Sequence, residues 1–144
     1  MSDSPTAAMT QPASPPIVER PSVKVSIDAV TFLPDAEAPP DRPFAFRYDI
    51  SIHNQGDEPV RIVGRKWIVV GPNGDKLVLD GDGVVGEYPV IQPGGRFAYH
   101  SFHVIDGDSD AEGAYYGLAP SGERFFTRIP RFHMSVADAS DPFA

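Results

Sequence analysis

The chain contains no cysteine. That single absence removes thiol catalysis, Cys-ligated zinc, disulfide bridging and thiol redox switching. Long apolar runs are missing as well. Nothing approaches the roughly 18 residues that a membrane span requires, so no membrane insertion is expected. The first 22 residues carry neither a basic start nor an apolar h-region, and the expectation is a cytoplasmic chain without a targeting element. Basic charge is scarce: 12 Lys and Arg stand against 20 Asp and Glu, for a formal net charge of −8. Nucleic-acid binding needs clustered cations. Arg61, Arg65 and Lys66 sit close together in sequence, but such residues more often form a solvated strand face than a basic patch, so no nucleic-acid partner is expected. Helical periodicity is also lacking, since no window shows an apolar stripe at the 3.6-residue repeat.

What is present has a period of two. Phe44, Phe46, Tyr48, Ile50 and Ile52 alternate with Ala45, Arg47, Asp49, Ser51 and His53 as a half-buried strand. Val23, Val25 and Ile27 alternate with Lys24, Ser26 and Asp28 in a first strand. Val60 to Val70 is apolar on both faces near Trp67, as a central strand should be, and Gly64 inside it predicts a bulge or a close backbone approach. Pro72-Asn73-Gly74-Asp75 signals a hairpin into Lys76 to Leu79. Arg96 to Val104, Gly113 to Leu118, Arg124 to Ile129 and Phe132 to Val136 supply later strands. With 144 residues, 41% of them hydrophobic, one domain can bury a core. The expected organisation is a disordered tail over 1–22, rich in proline and small polar residues, a folded domain over 23–137, and a loose tail over 138–144. The expected fold class is all-β, an antiparallel β-sandwich.

Asp80-Gly81-Asp82-Gly83-Val84-Val85-Gly86-Glu87 carries the Gly-x-Gly-x-x-Gly spacing of a dinucleotide-binding loop, in which glycines let the backbone approach a pyrophosphate at a helix N-terminus. Here Pro89, Pro93, Gly94 and Gly95 end any helix soon after Gly86. Asp80, Asp82 and Glu87 would face a polyanion unless a cation lay between. The leading reading is a glycine-rich connection between strands. The alternative is a nucleotide, pyrophosphate or Mg-phosphate site formed by Gly81, Asp82, Gly83, Gly86 and Glu87.

Taken in order, Gly56-Asp57-Glu58-Pro59, Arg65-Lys66-Trp67-Ile68, Gly81-x-Gly83-Val84-Val85-Gly86-Glu87-x-Pro89-Val90, Pro93-Gly94-Gly95-Arg96-Phe97-x-Tyr99 and Ile129-Pro130-Arg131-Phe132 resemble the ApaG domain family over roughly Val23 to Val136. The resemblance implies a fibronectin type III-like or immunoglobulin-like sandwich. It implies a non-enzymatic module, found alone in bacteria and within eukaryotic F-box and polymerase-interacting proteins. It also implies an association with cobalt resistance and magnesium efflux, and proximity to a diadenosine-tetraphosphate hydrolase. The departure from the family pattern is the acidic segment Asp106 to Glu112, read as a loop.

No catalytic constellation survives geometric scrutiny. His100 and His103 fall on opposite faces of a strand and cannot jointly chelate a metal. Ser101 has no nucleophile elbow. Asp106 to Glu112 lacks the glycine and the bidentate acid of a calcium loop. No catalytic residue, resident metal or cofactor is therefore expected. Adjacent Tyr115-Tyr116 and Phe125-Phe126 should each put one ring on either face of a strand, leaving aromatic surface outside the core. Three functions remain open: a protein-binding module, a nucleotide or pyrophosphate binder, and a metal-handling accessory acting through carboxylates. The first leads. It expects a basic protein partner, recognition through exposed aromatics or strand addition, and self-association into a homodimer.

Overall fold

The computed structural model describes residues 16–137. Nine strands are present among them: β1 Val18–Glu19, β2 Val23–Phe32, β3 Phe44–Asn54, β4 Val60–Val70, β5 Lys76–Asp82, β6 Val90–Ile91, β7 Arg96–Ile105, β8 Ser109–Leu118 and β9 Arg124–Met134. They form two sheets. The larger runs β1-β9-β8-β4-β5, with β6 also pairing β4, and the smaller runs β2-β3-β7. Apart from the two-residue edge strands, three strands face four, and the predicted antiparallel sandwich is the fold of the chain.

The core lies between the sheets, where Ile50 and Ile52 of β3 meet Ile62 and Trp67 of β4, Tyr115 of β8 and Phe125 of β9. Val23, Phe46, Tyr48, Ile50, Ile52 and Trp67 are buried as their alternation predicts, whereas Val25, Ile27 and Phe97 are half-buried. The physical reason is width. Val25, Ile27 and Phe97 sit on β2 and β7, the two edges of the three-stranded sheet, where the facing sheet covers each side chain only in part.

Bulges set which residues point inward. In β4 the buried positions shift from Val60 and Ile62 to Trp67 and Val69, and the β4–β8 register shifts between Ile62 and Gly64. One extra residue reverses the parity of everything after it, so the glycine expected to mark a bulge does so. The Gly71–Asp75 turn joins β4 to β5, with the Gly71 amide donating to the Asp75 carbonyl at 2.8 Å and Gly74 at φ 81. The hairpin is the one its Asn-Gly signal predicts.

Three expectations need correction. The N-terminal tail does not extend to Ser22, because β1 pairs in parallel with β9 at Phe125 and Phe126. Arg20 holds it there: its amide donates to the Phe126 carbonyl at 3.0 Å, its guanidinium meets Glu58 at 2.6 Å, and it lies 5.6 Å from the centroid of the Phe125 ring. The remainder of that tail, and all of 138–144, lie outside the described residues. Secondly, the acidic segment is only partly a loop, since β8 begins at Ser109. Asp110 bonds Arg131 and His133 of β9, each at 2.7 Å, and the Arg131 guanidinium neutralises a carboxylate that composition alone assigns to solvent. Thirdly, Pro130 does not divide two strands. β9 runs through it, and the β8–β9 register shift between Ala111 and Gly113 lets the missing amide fall in a bulge.

Candidate functional site

The glycine segment straddles a strand end and a turn. Gly81 and Asp82 close β5, opposite Arg65 and Gly64 of β4. The chain then reverses between Val84 and Glu87, whose amides donate to each other's carbonyls at 2.8 and 2.9 Å. Val85 at φ 45 and Gly86 at φ 81 occupy the two central positions, the left-handed pair of a type I′ turn. Gly83 is at φ 63, and a Cβ there would lie 2.3 Å from the Glu87 carbonyl oxygen. Its own amide donates to Val63 at 2.8 Å. Arg65 completes the arrangement by donating from one guanidinium nitrogen to the carbonyls of Asp82 and Gly83, at 2.9 and 3.1 Å.

Chemically, this is a tied turn. A dinucleotide loop requires a helix to begin behind the last glycine, whereas here Gly86 leads to Pro89 and strand β6. The amides of Gly83, Val84 and Glu87 already have protein acceptors. Asp82 and Glu87 are exposed.

Arg65, on β4 between β5 and β8, also lies near the core tyrosines. The Tyr99 and Tyr115 hydroxyls are hydrogen-bonded to one another, with Tyr48 packed edge-on to Tyr99. Burial pushes both the Tyr99 and Tyr115 phenols well above their usual range, and the nearby Arg65 charge offsets only a small part of that. These hydroxyls are structural donors and acceptors, not acids poised for proton transfer.

The paired aromatics behave as adjacency predicts. Tyr115 and Phe125 are fully buried. Tyr116 and Phe126, opposite each other across β8 and β9, are half-exposed on the outer face of the larger sheet. With Ile17, Ile68 and Ala114 they line a depression of about 340 Å³ edged by Lys66, Glu112 and Arg128. The Arg128 guanidinium lies 5.5 Å from the Phe126 ring centroid and donates to Glu19 at 3.1 Å.

The four histidines are dispersed. His133 is on Asp110, His100 is exposed, and His103 is buried beside Tyr48, Trp67 and Phe132. His100 and His103 do lie on opposite faces of β7. The buried His103 Nε2 and the Trp67 indole nitrogen have no hydrogen-bond partner among the described residues. Among those residues no group of three His, Asp or Glu side chains is placed to hold a metal ion.

One cluster escaped the sequence. On the outer face of the smaller sheet, Ser26 and Ser51 donate to the two oxygens of Asp28 at 2.9 and 2.6 Å, and His53 Nε2 lies 3.0 Å from Ser26 Oγ. Asp28 is the extra residue of a bulge between Ile27 and Ala29, and that local twist aims it at Ser51. The hydrogen bond from Ser51, then that from Ser26, holds its carboxyl below the usual range. A nucleophilic serine must give its proton to histidine. Here the Ser26 hydroxyl donates to Asp28 rather than to His53, so the arrangement braces a sheet.

The two sheets and the outward aromatic face define a fibronectin type III-like β-sandwich module. The chain belongs to the ApaG domain family, whose profile matches residues 34–117. It is similar to Protein ApaG of Acidithiobacillus ferrooxidans, 33% identical over 121 residues covering 83% of this chain and 95% of that protein. It is 37% identical to Protein ApaG of Maricaulis maris over 113 residues, 78% of this chain and 86% of the relative. Among solved structures, structural-genomics target SoR45 superposes with a TM-score of 0.72 at 30% identity, covering 80% of this chain and 87% of that one. A Bordetella pertussis crystal structure shares the fold, with a TM-score of 0.69 at 24% identity over 83% of this chain and 97% of that one.

Proposed function

We propose that this chain is a non-enzymatic protein-recognition module acting in the cytoplasm, with the outer face of the larger sheet as its binding surface. One observation carries the reading: Tyr116 and Phe126 turn outward beside Ile68 and Ile17 while their neighbours Tyr115 and Phe125 fill the core. Rings in a solvent-facing depression supply contact area at small entropic cost, and Arg128 and Lys66 at its border supply polar anchors. The formal charge of −8 favours a basic partner and an association that weakens with salt. In this reading the family's link to cobalt resistance and magnesium efflux runs through a protein contact. The phosphate-binding alternative for Gly81 to Gly86 draws no support from a turn whose amides are already bonded.

The test is crosslinking capture in cells, with the wild-type chain and a Tyr116→Thr/Phe126→Thr double variant as baits. Threonine keeps strand propensity while removing the rings. Expected is a partner held by the wild type and lost by an equally stable variant. Equal capture by both would reject the surface. Calorimetry with ATP, diadenosine tetraphosphate, Mg²⁺ and Co²⁺ is run beside it; micromolar nucleotide binding abolished by Asp82→Asn would move the function to the glycine turn.

A further inference from the structure

Among the described residues strand β5 is an open edge of the larger sheet, pairing only with β4. The amide of Gly71 donates to Asp75 and that of Gly83 to Val63, and both contacts belong to the same β4–β5 register. Antiparallel ladders bond alternate residues. Asp75, Leu77, Leu79, Gly81 and Gly83 therefore direct their backbone groups towards β4, and Lys76, Val78 and Asp80 direct theirs away from the sheet. Val78 and Leu79 are 49% and 41% exposed. Among the described residues neither Lys76 nor Asp80 has an ion-pair partner.

The five residues Lys76-Leu77-Val78-Leu79-Asp80 are complementary to themselves when run antiparallel. We propose that the β5 edge binds the β5 edge of a second copy of this chain, about a two-fold axis through Val78. In that register Val78 meets Val78, each Lys76 meets Asp80, and each Leu77 meets Leu79. Every pair joins two outward-bonding or two inward-bonding residues, so backbone and side-chain complementarity coincide. Cross-strand partners share a face. Val78 lies opposite Ile68 on the outer face, so the two ion pairs flank Val78 there. The leucines meet on the inner side, where Leu77 already packs against the core.

Neighbouring registers are worse. Shifting the pairing by two residues one way sets Lys76 against Val78. The other way keeps two ion pairs, Lys76 with Asp82, but sets Val78 against Asp80 and so gives up the central apolar contact. A further shift in that direction places Asp80 across from itself, like charge against like. Side-chain identity thus favours the alignment centred on Val78. The contact is isologous, each copy using the same patch. A single strand-to-strand seam is small, so the dimer is weak and concentration-dependent. The proposal stands on β5 alone and does not depend on the aromatic face.

Sedimentation equilibrium over a concentration series tests it on the full chain. The wild type is expected to show reversible dimerisation. Lys76→Asp and Asp80→Lys should each weaken association at least tenfold, and the double swap Lys76→Asp/Asp80→Lys should restore it. Val78→Pro removes an amide that β4 does not use, and should leave a folded monomer by circular dichroism. A wild type that stays monomeric throughout overturns the pairing while leaving the protein-recognition reading intact. So does a dimer that survives Val78→Pro, or a double swap no better than the single variants.

Discussion

The guanidinium of Arg65 occupies the space that a side chain on Gly81 would need: a Cβ there would lie 2.6 Å from its carbon and nitrogens. The same guanidinium bonds the carbonyls of Asp82 and Gly83. A missing side chain on β5 and a long one on β4 thus form one clamp, which ties the end of the edge strand to the sheet.

That clamp ranks two glycine substitutions. Gly81→Ala meets the far end of a flexible side chain, which can swing aside, and should cost about 1 kcal/mol. Gly83→Ala meets a backbone carbonyl at 2.3 Å with φ at 63 and has nowhere to relax. It should cost about 3 kcal/mol, the strain of a left-handed residue added to the clash. Urea unfolding of both variants measures the difference, and the reverse order would show that the turn is held by something other than this packing.

Val85 is the one non-glycine residue at positive φ among the described residues. A β-branched residue in that region is strained, and its side chain is 47% exposed, so packing offers little return. Val85→Asn creates the Asn-Gly pair that type I′ turns favour. Stability should rise by about 1 kcal/mol. An unchanged or lowered unfolding midpoint would mean that the valine makes a contact which outweighs its backbone strain.

Burial lowers the His103 imidazole from 6.5 to about 4, because the charged form loses its hydration inside the core. The folded value lies below the unfolded one, so the unfolded chain takes up the proton first. The stabilisation is complete above about pH 6.5 and is lost as pH falls towards 4, a change of about 3 kcal/mol. Carboxyls held below their usual range, Asp28, Asp49 and Asp110, act in the same direction but only below about pH 4. Denaturant midpoints for the wild type should therefore drop between pH 6.5 and 4, and His103→Phe should flatten that interval. A parallel slope in both proteins would assign the drop to other groups.

The sandwich was legible because its strands alternate cleanly: Phe46, Tyr48, Ile50 and Ile52 declare a buried face by their spacing alone. The outward rings were legible for the same reason, since neighbours in a strand must diverge. What resisted reading is what register and bulges decide. The Ser26–Asp28–Ser51–His53 network joins two strands through a bulge that no local pattern announces. Pro130 looked like a strand end because proline usually is one, and only its place in a bulge reverses that. Val18 and Glu19 lie in a stretch whose composition argues against order, and Arg20 overrides it through contacts with residues far along the chain.

The parallel clasp of Val18 and Glu19 on β9 bears on how far any assembly of this chain can grow. A filament grown through one sheet alone needs two templating borders on that sheet, one to receive a neighbour and one to offer to the next. On the larger sheet the β9 border carries a two-residue segment too short to template another chain. The β5 border can be used once, head to head, and is then consumed. Among the described residues, growth through the larger sheet alone would therefore end at the pair proposed for β5, halted by a two-residue segment that lies outside the core.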